Sequence, residues 1–243
     1  MLFHGTDAFL TIGSKSSEFY RAFGISEERL FFTPYSVDND FFREESRKWR
    51  RQKAVLKVSL GISEELPVIL FVGKLVKRKR PFDLLYAYEN IGNEVALVFV
   101  GDGELRSALE QYVRERGLSR VKFVGFKNQS ELPRYYAMAD IFALPSSSQE
   151  VSPLVINEAM CCALPVVVSD AVPSANDFVE NGYNGYIYPC GDVSRLTQVL
   201  HNLILAPELE SVFGERSQQL IEDWNNSKVV EGILEALGKF ARQ

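Results

Sequence analysis

Histidine is almost missing from this chain: His4 and His201 are the only two in 243 residues. Cysteine is nearly as scarce, with Cys161 and Cys162 adjacent and Cys190 alone. Three thiols so placed make no disulfide framework, and with so few imidazoles a zinc ligand set does not assemble. The thiols read instead as small buried hydrophobes. A basic excess is absent too: 27 Lys and Arg against 32 Asp and Glu give a net charge of -5. That excludes a general nucleic-acid binder and makes any cationic site a local one. No apolar run approaches the roughly 18 residues that a membrane span needs, and the longest, 68–72 and 95–100, have strand length. Residues 1–7 lack the basic, apolar and cleavage segments of a signal peptide, so cytoplasmic residence is the expectation.

What the chain does have is an ordinary globular composition, 46% apolar and 24% charged, enough for one large or two small domains. Short apolar runs alternate with helical patterns, which predicts an α/β fold: a Rossmann-like parallel sheet flanked by helices. Strands are expected at 68–73, 95–100, 121–124, 140–144, 165–168 and 186–188. Helices are expected near 81–90, 104–116, 130–137, 153–162, 175–180 and 193–204. Pro81 suits a first helical turn, Gly117 a helix end and Asp192 an N-cap. Residues 1–36 read as strand, short helix and strand, too little for a domain. Residues 208–240 read as helical with a break near Trp224 and an apolar stripe at Val229, Ile233, Leu234 and Leu237.

In open parallel sheets ligands gather at the carboxyl ends of strands, so the loops there carry the functional reading. Gly73 permits close backbone approach, and five of the seven residues from Lys74 to Arg80 are cationic. Lys74 and Lys79 would offset a diphosphate's charge; a solvated basic loop is the alternative. Gly101-Asp-Gly103 begins like a dinucleotide fingerprint, but Arg106 stands at the third glycine. With no acidic residue some 20 positions on to hold a ribose, a nicotinamide site is disfavoured and a tight turn preferred. Phe126 ends another strand, either against a base or in packing. The segment Glu150-Val-Ser-Pro-Leu-Val-Ile-Asn-Glu158 enters a helix whose first amides, at Leu154 and Val155, are free to meet phosphate. Glu158 would offer a ribose diol two acceptor oxygens and Glu150 would face sugar hydroxyls. Dipole compensation at a helix start is the plainer reading of both. Asp38-Asn-Asp40 reads as a turn with a capping aspartate rather than as a metal site.

Taken together these segments resemble the retaining glycosyltransferases of the two-domain GT-B fold, group 1 or family 4. The likeness runs from about 30 to 240 and is carried by motifs in order: Phe71 to Lys79, Val98 to Gly103, Ala139 to Ser146, the Glu-x7-Glu pair Glu150 and Glu158, then Ala159-Met160, Leu164 to Val167, Asn184-Gly185 and Gly191-Asp192. The resemblance implies that Lys74 and Lys79 contact the donor diphosphate; Gly73 and Phe126 are donor-binding candidates from their places at strand ends. The resemblance also implies that Leu154 and Val155 present amides to phosphate and that Glu158 holds the ribose. Glu150 and Lys79 would act in catalysis on the transferred sugar, without metal or cofactor. Four departures stand out: Lys74 replaces arginine, Arg80 and Ala163 stand where glycine is common, and Tyr35-Ser36-Val37-Asp38 replaces Asn-Gly-Val-Asp.

The resulting expectation is a hexosyltransferase-type enzyme with a nucleotide diphosphate sugar as substrate. Its acceptor would be a glycan, a lipid-linked molecule or a small molecule. Residues 1–34 would be the remnant of an amino-terminal domain and 35–207 the donor domain. Residues 208–243 would pack on the missing domain or a partner chain. Contact with the inner membrane surface stays open. A non-catalytic nucleotide-sugar binding module is the competing reading.

Overall fold

Two runs, 68–72 and 96–100, are apolar at every position and buried throughout. A strand covered on both faces loses the in–out alternation, the pattern of a parallel sheet's interior. The computed structural model describes residues 3–148 and 153–240; Glu150 lies outside them. In chain order, β1 (Phe9–Thr11), α1 (Ser14–Ala22), β2 (Leu30–Phe32), α2 (Asn39–Arg50) and α3 (Lys53–Ser59) come first. Strands β3 (Val68–Val72), β4 (Ala96–Val100), β5 (Val121–Phe123), β6 (Ile141–Leu144), β7 (Val166–Ser169) and β8 (Gly185–Tyr188) follow. They alternate with α4 (Pro81–Ile91), α5 (Arg106–Glu115), α6 (Leu132–Met138), α7 (Leu154–Cys161), α8 (Ala175–Phe178) and α9 (Val193–Ile204). Two further helices are α10 (Glu208–Ile221) and α11 (Asn226–Phe240).

The six later strands form one parallel sheet in the order β5-β4-β3-β6-β7-β8, with Leu70 paired to Val98 on one side and Phe142 on the other. The chain runs outward from β3 to β5 and then returns to the far side of β3. Right-handed crossovers on the two sides of that reversal lay their helices on opposite faces. A crevice therefore opens where the carboxyl ends of β3 and β6 separate.

Capping follows local chemistry. The Asp38 carboxylate accepts from the Phe41 N–H at 3.0 Å, so Asp38-Asn-Asp40 is indeed a helix cap. Asp192 does the same for α9 at 2.8 Å, and Pro81 opens α4. Residues 39–59 form two helices, and the basic run Arg47-Lys-Trp-Arg-Arg51, which the sequence predicts as a surface helix, closes the first. The buried face of α2, Asn39, Phe42 and Ser46, includes two polar residues, which dilutes the apolar period. The expected helices at 104–116 and 130–137 start two residues later than predicted, at Arg106 and Leu132.

The amino-terminal segment is tied to the far end of the chain. β1 and β2 form their own two-stranded parallel sheet, and α11 lies across β2. A Cβ on Gly232 would sit 2.0 Å from the Phe32 carbonyl oxygen, so only glycine permits this approach. Trp224, between α10 and α11, packs against Phe178 and Phe32 with ring centres 4.5 and 5.2 Å away. Val230, Leu234 and Leu237 of α11 remain exposed. No helix among the described residues is long and apolar enough to cross a membrane.

Among the described residues, Arg80 (φ 49°) and Ala163 (φ 54°) are the non-glycine residues with left-handed backbone. These are two of the positions where the sequence departs from glycine in its family likeness. A β-carbon in this region costs roughly 1–2 kcal/mol, partly offset by the greater unfolded-state freedom of glycine. Ala163→Gly is expected to raise stability by up to about 1 kcal/mol, read as a higher urea midpoint at unchanged slope. An unchanged or lower midpoint would contradict the strain.

Candidate functional site

Three loops at the carboxyl ends of β3, β4 and β5 are zipped together by backbone hydrogen bonds. The Gly73 N–H donates to Val100 O, Leu75 N–H to Asp102 O and Gly101 N–H to Gly125 O, each at 2.9 Å. Their contact leaves no space for side chains. A Cβ on Gly101 would fall 1.9 Å from the Gly73 carbonyl oxygen, and one on Gly103 would fall 2.5 Å from that of Leu75. The Gly-x-Gly turn is therefore a packing device that holds the basic loop flat, consistent with its reading as a tight turn.

Above this floor lies a cleft of about 650 Å³ whose walls include Gly73, Lys74, Asp102, Phe126, Lys127 and Leu132. Lys74 is exposed at its edge, and the Phe126 ring is 75% exposed, an aromatic face left toward solvent beside a polar rim. Lys79 is placed differently: it is 6% exposed, and its Cε lies 3.6 Å from where a Cβ on Gly73 would be. Its stem thus covers the glycine that lines the cleft. Ser147 N–H donates to Arg78 O at 2.8 Å, tying the loop after β6 to the basic turn across the point where strand order reverses.

Helix α7 begins at Leu154, with Pro153 as its N-cap residue rather than in the first turn. Among the described residues no side chain caps it and its first turn holds no acid, and the amides of Leu154 and Val155 lack an intrahelical acceptor. One turn further on, Glu158 is 6% exposed. The Tyr136 hydroxyl donates to Glu158 Oε2 at 2.6 Å. Burial pushes the Glu158 carboxyl up to about 7, and the Tyr136 hydrogen bond opposes that rise without cancelling it.

Gly73, Lys74 and Phe126 thus share one cleft, with Lys79 against its floor. Glu158 connects to the cleft through α6, where Leu132 lines the wall and Tyr136 one turn later reaches the carboxylate; residues four apart share a helix face. Sequence reasoning missed Asp102, Lys127, Leu132 and Tyr136. The four-residue spacing of Leu132 and Tyr136 ahead of β6 was a readable signal for the last two.

A profile of the family described as "Glycosyl transferases group 1" matches residues 52–220, more than half of the chain. The chain belongs to the group 1 glycosyl transferases. Among curated relatives, N-acetyl-alpha-D-glucosaminyl L-malate synthase of Bacillus anthracis is 29% identical over 193 residues, covering 78% of this chain and 50% of that protein. GDP-mannose-dependent alpha-(1-6)-phosphatidylinositol monomannoside mannosyltransferase of Mycobacterium tuberculosis is 27% identical over 228 residues, covering 89% and 57%. The crystal structure of Anabaena Alr3699/HepE in complex with UDP superposes with a TM-score of 0.81 at 22% identity, covering 96% of this chain and 64% of that one. That likeness establishes a shared GT-B glycosyltransferase fold. This group 1 chain spans about half the length of the curated relatives it matches.

The Glu158 environment has a stability consequence with a definite sign. Its folded value of about 7 lies above the ordinary 4.5, so the folded state prefers the neutral acid. That preference is fully present below pH 4.5 and is lost as pH rises through 7, a swing of about 3 kcal/mol. Glu158→Gln keeps the shape without the charge. The variant is expected to gain on the wild type in urea unfolding as pH goes from 5 to 8; a gap that stays constant would refute this.

Proposed function

We propose that this chain supplies the donor site of a retaining, hexosyltransferase-type enzyme of family 4 that uses a nucleotide diphosphate sugar. The observation that carries the reading is one cleft at the carboxyl ends of β3, β4 and β5 that gathers Gly73, Lys74 and Phe126, with Lys79 buried beneath it and the buried Glu158 bonded to Tyr136, one helical turn from Leu132 in its wall. Lysines and an open helix terminus suit a pyrophosphate, and a buried acceptor suits a ribose diol. In this reading Phe126 lies beside the base and the Leu154 and Val155 amides meet phosphate. Glu150, outside the described residues, engages the sugar. The names of relatives support an activated sugar: one is GDP-mannose-dependent, and a neighbour's crystal holds UDP. Names of transferases also favour turnover over a non-catalytic binding module.

In the transfer, the bond from the sugar's anomeric carbon to the β-phosphate oxygen breaks and the nucleoside diphosphate leaves with the electron pair. The acceptor oxygen bonds that carbon on the same face and releases its proton. Lys74, Lys79 and the α7 terminus stabilise the charge that grows on the departing phosphate, a preorganised role that needs no metal or cofactor. The acceptor, a glycan, lipid-linked or small molecule, would be held by an amino-terminal domain or partner chain. Residues 1–34 would be the edge of that domain and 208–243 the helices that cross to it, with 35–207 the donor domain. The setting proposed is cytoplasmic, with peripheral contact at the inner membrane surface.

Thermal unfolding with UDP, GDP, ADP, their sugars and NAD tests the donor site. A ligand at 100 times its dissociation constant adds about 2.7 kcal/mol. For a chain of this size that is a rise of roughly 5–10 °C in Tm. At least one nucleotide sugar is expected to produce it and NAD is not. Glu158→Ala is expected to weaken every responding nucleotide, since all share the ribose. Response to NAD alone would sink the proposal, and unchanged affinity in Glu158→Ala would sink the ribose assignment.

A further inference from the structure

Tyr136 is fully buried, with ring centres of Phe42 and Phe142 at 6.2 and 6.1 Å. These rings come from α2 and β6, so the phenol is clamped between two elements while α6 carries it. Its hydroxyl has one close acceptor, Glu158 Oε2 at 2.6 Å; the Val155 carbonyl oxygen is at 3.5 Å. A hydroxyl has one proton to give, and the shorter contact takes it. One oxygen of the Glu158 carboxylate is thus fixed by the core, and the other accepts no hydrogen bond from the described residues.

We infer that Tyr136 is a positioning residue for donor binding: it locks one oxygen of Glu158 and so aims the other at the nucleotide's ribose. The inference rests on the reading of Glu158 as the ribose acceptor. A phenylalanine at 136 and a glutamine at 158 would fill the same core without a buried acid. Keeping an acid there lowers stability above neutral pH, which a purely structural pair has no reason to retain. Donation to an acceptor favours its charged form, and burial disfavours it; the Tyr136 bond thus keeps Glu158 ionisable near neutrality.

Among the described residues, the other acidic side chains packed around Glu158 stay uncharged in the neutral range. Cys161 and Cys162 on its own helix are raised by burial, Cys161 to about 12 and Cys162 well above its usual value. Tyr136 itself, from α6, is raised well above the ordinary phenol range by burial and by Glu158. Lys79, from the turn after β3, is the buried cation against the cleft floor.

The test is the affinity of the full chain for the nucleotide sugar that responds in the thermal panel, UDP-glucose or GDP-mannose, measured from pH 5.5 to 9. For the wild type, affinity is expected to rise about tenfold from pH 6 to 8 with a midpoint near 7. Tyr136→Phe is expected to move that midpoint up by about one unit, weakening binding roughly five- to tenfold at pH 7 and converging on the wild type near pH 9. An equal loss at every pH, or no change, would overturn the inference and leave Tyr136 as packing. Glu158→Gln is expected to bind weakly with no pH dependence. If it binds like the wild type, the ribose reading itself fails, a result distinct from failure of the Tyr136 variant alone. Should Tyr136→Phe not fold, calorimetry of the wild type in buffers of different ionisation enthalpy decides. Release of about half a proton per ligand at pH 7 supports the positioned carboxylate, and none overturns it.

Discussion

The return of the chain from β5 past β3 to β6 is the constraint from which the rest follows. Because crossovers in a parallel sheet are right-handed, reversing direction across the sheet separates the helices above β3 and β6 and leaves a crevice between them. The cleft is lined by the loops that leave β3, β4 and β5, with Leu132 of α6 in its wall, and Lys74 and Lys127 make its rim cationic. The glycines at 73, 101 and 103 then let three backbones lie in contact, with positions where any β-carbon would strike a carbonyl oxygen. Floor, rim and opening are one consequence of strand order.

The two ends of the sheet handle buried charge in different ways. At the amino end, Lys53 bridges Asp140 and Glu210 at 2.6 and 3.2 Å. Lys57 sits 3.5 Å from Asp140 while donating to the Glu64 and Leu66 carbonyl oxygens, and Asp140 also accepts from the Val68 N–H. Every charge there has an opposite charge and a hydrogen bond, and removing one partner would strand the others. Burial still lowers the Lys57 ammonium from its ordinary range, against the pull of Asp140. At the carboxyl end Glu158 has a neutral partner, and burial leaves it near half protonation at neutral pH. A fully paired cluster fixes the fold, whereas an acid held by one oxygen is suited to meet a ligand.

Much of the α/β fold could be read from the chain. Strands buried on both faces announce themselves as unbroken apolar runs, and caps such as Asp38 and Asp192 depend on residues only three positions away. The left-handed Arg80 and Ala163 coincide with two places where the family likeness fails. What stayed hidden has a common cause. Tyr136 and Glu158 are 22 residues apart, and nothing in either neighbourhood distinguishes a tyrosine that fills a core from one that holds a carboxylate. The first turns of α2 stayed hidden because part of its buried face is polar.

The sequence by itself determined the alternation of strands and helices, the glycines where backbones touch, and the cationic turn after β3, because each depends on residue type and near neighbours. Only the tertiary structure decided which loops share a crevice, that Lys79 is buried against Gly73, and that Glu158 takes its proton balance from burial and a distant phenol. Burial and long-range contact are properties of the packed chain, and a carboxylate's charge depends on what surrounds it rather than on what precedes it.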